Sequence, residues 1–267
     1  MNDNVAMGTR RFGRVNWLGL YTLASREVQR FTNIWTQTVM APLVTAGLFL
    51  AVFTLAIGPT RGDVMGVSFA QFLAPGILMM TAIQNAFTNS SSSIMVSKVQ
   101  GSIVDTLMPP LSPLELVLGF LAGAVARALF VAVIIWIGVA LLLGTGLAHP
   151  VWALTFVVLA GLFMGGLGMI AAIYANRFDQ MAAITNFIIT PLSFLSGTFY
   201  SIENLPPVMR ALTHWNPLFY LIDGVRFGIL GRSDSSPWLG LGVVSGSTAV
   251  VLFVCWYWFK SGYRLKA

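Results

Sequence analysis

Residue types that do chemistry are scarce in this sequence of 267 residues. Its three lysines are Lys98, Lys260 and Lys266, and none follows a glycine as the lysine of a phosphate-cradling GxxxxGK[ST] loop does. The single cysteine and the two histidines, His149 and His214, are too few and too scattered for a conventional zinc site. We therefore expect no cofactor or metal in this chain, and no ATP bound through such a loop.

Three other kinds of chemistry remain as alternatives. A hydrolase needs a base beside a nucleophile, and His214 with Asp223 is the one pairing that the spacing offers, although a histidine beside Trp215 at an interface is more often a structural polar tip. A membrane-embedded lipid-modifying enzyme would have to use Glu203, His214 and Asp223, which have no recognisable spacing. A proton-coupled secondary transporter would need buried acidic relays, and no Asp or Glu lies in the interior of a long apolar run.

Composition defines the kind of protein that must position these residues. Hydrophobic residues make up 57% of the chain and charged residues 9%, and the charges are confined to short islands. Because about 20 apolar residues cross the roughly 30 Å hydrocarbon core, the runs predict an all-α polytopic membrane protein with six transmembrane helices. The predicted spans are about 37–57, 69–92, 115–143, 151–174, 181–201 and 238–259. Residues 1–36 then form a cytoplasmic N-terminal segment, 37–259 the transmembrane domain and 260–267 a cytoplasmic tail.

The distribution of Lys and Arg predicts the orientation, because acidic residues contribute little to it. With six spans, ten basic residues fall on the side of both termini and four, Arg61, Arg210, Arg226 and Arg232, fall on the other side. Both termini are therefore predicted to lie in the cytoplasm. The net charge of +6 fits this topology and attraction to membrane lipids, and we do not expect nucleic acid as a partner.

An amphipathic helix is predicted near the N-terminus. Aromatic and apolar residues recur there at spacings of four and three, and they form one stripe: Trp17, Tyr21, Ala24, Val28, Phe31 and Trp35. Polar residues lie opposite, namely Arg26, Gln29, Arg30 and Asn33. We expect this helix to lie on the cytoplasmic membrane surface. It serves either as an anchor that sets the topology or as a gate helix packed against a cytoplasmic partner.

The loop between the second and third spans has the signature of a short, bracketed helix. Ser102 stands as a cap three residues before Asp105, and a double proline ends the helix. Ser112, Pro113 and Glu115 then restart a helix with a capping box. The short helix is predicted to present four apolar residues, Ile103, Val104, Leu107 and Met108. A loop that only connects two spans rarely has a capped helix with exposed apolar residues. The pattern therefore favours a docking surface over a plain connector.

Several polar and aromatic residues fall inside the predicted spans. Arg127 is costly in hydrocarbon unless it is paired, wetted or close to the headgroups. The second span is polar in its cytoplasmic half, through Asn85, Thr88, Asn89 and residues 90–93, which favours interhelical hydrogen bonds over substrate contact. The pairs Gly119/Gly123 and Gly161/Gly165 favour close helix packing. Aromatic residues of the fifth span either line an apolar path or face acyl chains: Phe187, Phe194, Phe199 and Tyr200.

The segment 191–226 leaves the membrane near Ser201 and then returns to the interface. Two amphipathic pieces begin there, one at Pro206 and Pro207 and one at Asn216 and Pro217, while Gly224, Gly228 and Gly231 are expected to loosen the return. Irregular backbone at membrane depth is tolerated where it lines a cavity. The segment is therefore predicted to line or cover a cavity on the outer side.

Three blocks together resemble the permease subunit of ABC-2-type exporters, a bacterial family that moves drugs, polysaccharides and lipid-linked glycans. They are GSIVDTLMPPLSPLELVLG at 101–119, FLSGTFYSIENLPP at 194–207 and HWNPLFYLIDGVR at 214–226. The resemblance covers nearly the whole chain. It implies a multi-pass protein of the inner membrane that works as two permease copies, expected to be a homodimer, with two separate ABC ATPase subunits that use ATP and Mg²⁺. An amphipathic, lipid-like, drug or glycan substrate is expected.

The same resemblance implies roles for particular residues. The ATPase-coupling helix would comprise Gln100, Gly101, Ser102, Ile103, Val104, Asp105, Thr106, Leu107 and Met108. The interface or gate helix beside it would use Trp17, Tyr21, Arg26, Glu27, Val28, Arg30, Phe31 and Trp35. An extracellular lid of re-entrant helices between spans five and six would contain Glu203, Pro206, Pro207, His214, Trp215, Asn216, Pro217, Tyr220, Asp223 and Arg226. Candidates for the translocation path are Asn85, Asn89, Arg127, Phe187, Phe194, Phe199 and Tyr200.

Overall fold

The computed structural model describes residues 15–58, 62–202 and 205–264, and these residues fold as helices joined by short loops. Helices α1 to α5 are Trp17–Thr32, Ala41–Ala56, Phe69–Val99, Ile103–Leu107 and Pro113–Leu143. Helices α6 to α11 are Pro150–Tyr174, Phe178–Ile184, Thr190–Phe194, Pro207–His214, Pro217–Leu230 and Pro237–Ser261. Short π-helical turns at Thr36–Met40 and Thr185–Ile189 lead into α2 and α8. The all-helical fold is confirmed.

Among the described residues, four helical stretches are long and apolar enough to cross a membrane. They are Thr36–Ala56, Pro113–Leu143, Pro150–Tyr174 and Pro237–Ser261, and they coincide with the first, third, fourth and sixth predicted spans. Helix α3 has 31 residues, which gives a length of about 46 Å at 1.5 Å per residue. It is long enough to cross, but polar residues of its second half lower its mean hydropathy.

Helix α6 lies at the centre of the bundle. It packs against α3, α5, α10 and α11. Its glycines allow this close packing: a Cβ on Gly161 would lie 2.7 Å from Val125 Cα of α5, and one on Gly165 would lie 2.7 Å from Ala124 Cβ. The small-residue pair thus serves helix packing, as its spacing predicts.

The second glycine pair serves the N-terminal helix. A Cβ on Gly123 of α5 would lie 2.5 Å from Glu27 Cβ of α1, and one on Gly119 would overlap the side chain of Leu23. Helix α1 therefore lies directly on the backbone of α5. Because the predicted anchor helix packs on the bundle in this way, it is part of the folded body.

Capping explains how α4 and α5 begin. The capping box at α5 is confirmed: the Ser112 hydroxyl accepts a hydrogen bond from Glu115 N at 3.4 Å, and Glu115 Oε2 accepts one from Ser112 N at 2.6 Å. At α4 the predicted side-chain cap is wrong. Ser102 makes no side-chain capping bond, and its carbonyl oxygen accepts a hydrogen bond from Asp105 N at 3.1 Å instead.

The fifth predicted span, 181–201, is helical only in part. Its helical stretch begins at Phe178 and ends at Phe194, and the next residues turn back instead of continuing the helix. Gly197 adopts a φ of +75°, which only glycine takes without strain. The chain then runs so close to α3 that a Cβ on Gly76 would lie 2.6 Å from the Thr198 carbonyl oxygen. The C-terminal end of this predicted span is therefore built from irregular backbone.

Candidate functional site

The short helix α4 has one buried face and one exposed face. Ile103 and Thr106 are buried, whereas Val104 and Met108 are exposed at 53% and 76%. Asp105 is also exposed. The expectation that Ile103 belongs to the exposed apolar set is therefore wrong, because its side chain joins the core of the bundle. What remains free on this helix is a small apolar and acidic surface.

Helix α1 lies beside α5 with its aromatic residues pointing away from the bundle. Trp17 is 72% exposed, and Tyr21 and Trp35 are exposed as well. Phe31, the fifth residue of the predicted stripe, is buried instead, and its ring contacts that of Phe130 of α5 in a tilted arrangement with 6.1 Å between the ring centres. The stripe is thus divided, since Trp17, Tyr21 and Trp35 face outward as a membrane-surface face would, while Phe31 packs on the protein.

Glu27 is the centre of a polar network between α1 and α3. Its side chain is fully buried, and its Oε1 accepts a hydrogen bond from Ser93 Oγ at 2.7 Å. Two arginines of α1 lie beside the carboxylate, with Arg26 at 3.3 Å from Oε1 and Arg30 at 3.4 Å from Oε2. Burial lowers the pKa of Arg30, and the Glu27 carboxylate opposes this shift. The two arginines neutralise the buried charge of Glu27. The hydrogen bond from Ser93 then joins Glu27, and with it α1, to α3.

This network reaches both the short helix α4 and the polar half of α3. Arg26 donates to Thr106 Oγ1 of α4 at 3.1 Å, and Arg30 donates to Asn89 Oδ1 of α3 at 3.2 Å. Deeper in the bundle, buried Arg127 donates from Nε to Asn85 Oδ1 at 3.1 Å. The polar half of the second span thus makes interhelical hydrogen bonds, as the sequence favours. These contacts link the surface of α4 to polar groups along α3.

At the opposite end of α3, Arg226 is the centre of a second buried cluster. Its side chain is 0% exposed, its NH2 donates to the Gly197 carbonyl at 2.7 Å, and its guanidinium lies 4.2 Å from the centre of the Phe72 ring. Two carboxylates neutralise it, with Asp223 at 3.5 Å and Asp234 at 3.3 Å. Four segments therefore meet at one guanidinium: α3, α10, the turn after α8 and the loop before α11.

Helices α9 and α10 are present where the two proline signals predict them. Asn216 caps α10 through a hydrogen bond from Leu218 N to its Oδ1 at 3.0 Å. The predicted loosening by glycine is wrong for Gly224 and Gly228, since both lie inside α10 against α6, and a Cβ on Gly228 would lie 2.5 Å from Ala153 N. Pro206, Pro207 and Trp215 lie at the two ends of α9, and Trp215 is 87% exposed. Glu203 lies outside the described residues.

The hydrolase pairing of His214 with Asp223 has no support in the geometry. His214 Nδ1 lies 3.3 Å from the Tyr220 hydroxyl. Both oxygens of Asp223 accept hydrogen bonds from elsewhere, with Oδ1 bonded to Asp234 N at 2.8 Å and Oδ2 to Ser235 N at 2.9 Å. Asp223 therefore orders the loop before α11 and does not orient a catalytic base.

The aromatic candidates for the translocation path lie apart from the polar ones. Phe194 and Phe199 stack with each other at 5.5 Å, and Phe199 also stacks at 4.6 Å on Phe53 of α2. Tyr200 bonds through its hydroxyl to the Leu195 carbonyl at 2.8 Å. Phe187 is exposed on the short turn between α7 and α8. The aromatic group thus joins the fifth span to α2, whereas Asn85, Asn89 and Arg127 join α3 to α1 and α5.

The sequence does not single out Asp234, and it does not predict the burial of Glu27, which the resemblance places on the interface helix. Glu27 stands among the polar residues of α1, but nothing in the helical pattern predicts that it is buried under α3. Asp234 lies eight positions after Arg226 in a loop, and no spacing rule pairs them. A local signal for an ion pair at Glu27 is its position directly after Arg26 and one turn before Arg30.

These features together define a class of protein, an all-helical protein with several helices long and apolar enough to cross a membrane. The sequence comparisons agree. A family model for the ABC-2 type transporter matches residues 19–230. The inner membrane transport permease YadH of Escherichia coli K12 is 35% identical over 254 residues, which is 94% of this chain and 98% of that protein. Nodulation protein J of Neorhizobium galegae is 25% identical over 243 residues, 91% of this chain and 92% of that protein.

The chain therefore belongs to the ABC-2 type transporter family. It is a multi-pass membrane permease, and the resemblance drawn from the sequence blocks is confirmed.

Proposed function

We propose that this chain is the membrane-spanning subunit of an ATP-driven exporter, powered by a separate ABC ATPase. The observation that carries the proposal is the two-faced helix α4: Ile103 and Thr106 are buried in the bundle while Val104, Asp105 and Met108 remain free. A free apolar and acidic surface on a bracketed helix fits a groove of a partner protein better than it fits water. We assign this surface to the ATPase.

In this proposal the bundle crosses the inner membrane six times. Helix α3 and the stretch from α7 to α8 supply the second and fifth crossings, in addition to the four long apolar helices. The stretch from Phe178 to Phe194 has 17 residues and a length of about 26 Å, which needs only slight local thinning of the bilayer. The inner-membrane location is in keeping with the printed name of the YadH permease.

The proposed mechanism involves both polar clusters, the one around Glu27 and the one around Arg226. Binding of ATP by the partner changes its contact with α4, and Arg26, which bonds Thr106, passes the displacement to α1 and α3. At the outer end, the cluster around Arg226 holds α10 and the turn after α8 together as the lid over the exit. A nucleotide can drive this motion only if its two states differ in their contacts with α4.

The partners follow from the same proposal. Two permease copies, two ATPase subunits and membrane lipids form the working unit, with ATP and Mg²⁺ bound by the ATPase. The spans offer few charged groups, which suits an amphipathic or lipid-linked cargo such as a drug, lipid or glycan. Arg127 and the amides of α3 are the polar groups at membrane depth that such a cargo would meet.

Adding charge to the free surface of α4 tests the proposal. We expect Val104→Asp with Met108→Asp to reduce copurification of the ATPase about tenfold or more, because unpaired charge in an interface costs several kcal/mol. The matched control is Met209→Asp, which changes an exposed methionine on α9, and it should leave the complex intact. Unchanged ATPase binding by the α4 variant would refute the assignment.

A further inference from the structure

Lys98 occupies an unusual position at the end of α3, five residues before α4 begins. Its ammonium nitrogen lies within hydrogen-bond distance of three carbonyl oxygens of α6: Ala172 at 3.1 Å, Ile173 at 2.8 Å and Ala175 at 2.7 Å. An ammonium group has three donors. All of its hydrogen-bonding capacity is therefore directed at the last turn of one other helix.

These carbonyl oxygens belong to the end of α6, where a helix leaves acceptors without partners and where its dipole is negative. Ala172, Ile173 and Ala175 are fully buried, so water cannot replace the lysine. The remaining acceptor of the turn, the Tyr174 carbonyl, receives a hydrogen bond at 2.9 Å from Arg264 near the C-terminus. Cations from two distant segments thus complete this helix end.

The hydrogen bonds from Lys98 to Ala172, Ile173 and Ala175, called the Lys98 clamp below, connect two turns of the chain. On one side Lys98 is joined through a tight turn to α4. On the other side α6 is followed after three residues by α7, and Asn176 N in that turn donates to Gln180 Oε1 at 2.8 Å. Helices α3 and α6 are also packed backbone to backbone, since a Cβ on Gly168 would lie 2.5 Å from the Phe87 carbonyl.

We infer that Lys98 is a positioning residue that makes the loop carrying α4 and the turn between α6 and α7 one mechanical unit. A push on α4 then moves the base of the fifth span directly, in parallel with the route through Arg26 and α1. This inference rests on the proposed function for its direction of transmission. The clamp itself rests only on the contacts of Lys98.

The clamp is tested by distance measurement on the full chain in lipid nanodiscs. Spin labels are placed at Val104→Cys on α4 and Asp179→Cys on α7, both exposed positions, while Cys255 stays buried. We expect one narrow distance distribution with Lys98, a broad one in Lys98→Met, and a narrow one again in Lys98→Arg. The control Lys260→Met, at an exposed lysine, should stay narrow. A narrow distribution in Lys98→Met with the original mean distance would overturn the inference.

Two further measurements keep the test decisive. If Lys98→Met does not fold, Lys98→Gln keeps a shorter neutral donor. The distance distribution of Lys98→Gln must still be broader than that of the parent protein, or the clamp is refuted.

In the complex with its ATPase, a bimane fluorophore at Trp215→Cys should change emission when ADP and vanadate are trapped. Lys98→Met should lose most of that change while trapping continues; a full change would overturn transmission through Lys98. Failure of the ATPase to bind at all would refute the proposed function and leave the distance test unaffected.

Discussion

Arg226 shows how much of one end of the helix bundle depends on one charge. The guanidinium is fully buried between Asp223, Asp234, the Gly197 carbonyl and the Phe72 ring. A buried ion pair adds little net stability compared with apolar packing, but removal of one partner leaves an uncompensated charge. The cluster is therefore stable when complete, and removal of one charged partner should destabilise the fold.

Arg226→Met should lower the free energy of unfolding by about 3–5 kcal/mol, because two carboxylates lose their buried counterion. The measurement is equilibrium unfolding by SDS in mixed micelles. Arg177→Met, at an exposed arginine, should change the free energy by no more than about 0.5 kcal/mol.

A second variant separates charge from shape at the same site. Adding Asp223→Asn and Asp234→Asn to Arg226→Met removes the stranded charges and should recover part of the lost stability. No recovery would show that the cluster is held by the packing of the arginine and by the hydrogen bonds that Asp223 accepts, and not by charge.

The predictability of single residues follows from how local their partners are. Ser112 and Glu115 are three positions apart, so their capping box can be predicted from the sequence and is confirmed. Arg226 was assigned to the lid, but its partners at Gly197 and Asp234 come from other segments that only the folded bundle brings together. Glu27 is similar, since its burial depends on where α3 lies and not on its own helix.

At the scale of elements, glycine determines which helices can meet. Gly119 and Gly123 let α1 lie on α5, while Gly161 and Gly165 let α6 pack against another side of α5. Both pairs could be recognised from sequence because small residues four apart form one smooth face. Which partner each face receives could not be recognised, because spacing carries no information on the partner.

Gly123→Leu should therefore release α1 from α5, since even a Cβ there would lie 2.5 Å from Glu27 Cβ. The readout is a cysteine at Leu23, which is buried under α5 in the parent protein. It should be protected from a maleimide in the parent and react in the variant. The control Gly246→Leu changes a glycine of α11 whose Cβ would contact nothing within 4 Å, and it should leave the cysteine protected. Equal protection in both variants would mean that α1 does not depend on this contact.

The fifth span shows the limit of hydropathy for whole elements. Its apolar run continues to Tyr200, yet the helix ends at Phe194. The cause lies in tertiary structure: Gly197 turns the chain, and the Thr198 region packs against Gly76 of α3. An apolar run reports that residues avoid water, but it does not distinguish a helix from irregular backbone that is covered by neighbouring helices.

For the whole molecule, α3 is the element that joins the two ends. Phe72 lies under Arg226 at one end, and Ser93 and Lys98 bind α1 and α6 at the other. Its 31 residues cover about 46 Å. In the proposed function, a helix of this length carries a displacement at α4 to the cluster around Arg226. The two ends therefore belong to one transport mechanism only if they lie on opposite sides of the membrane.

Labelling from each side of the membrane tests whether the two ends lie on opposite sides, which requires that the stretch from Phe178 to Phe194 cross it. Single cysteines replace Val104 on α4 and Trp215 after α9, both exposed, and a membrane-impermeant maleimide is applied to right-side-out and to inverted vesicles. We expect Trp215→Cys to react only in right-side-out vesicles and Val104→Cys only in inverted ones. If the stretch from Phe178 to Phe194 did not cross, both positions would react from the same side, and α10 would lie at the cytoplasmic face. The parent protein serves as the blank, because Cys255 is buried and should stay unlabelled from either side.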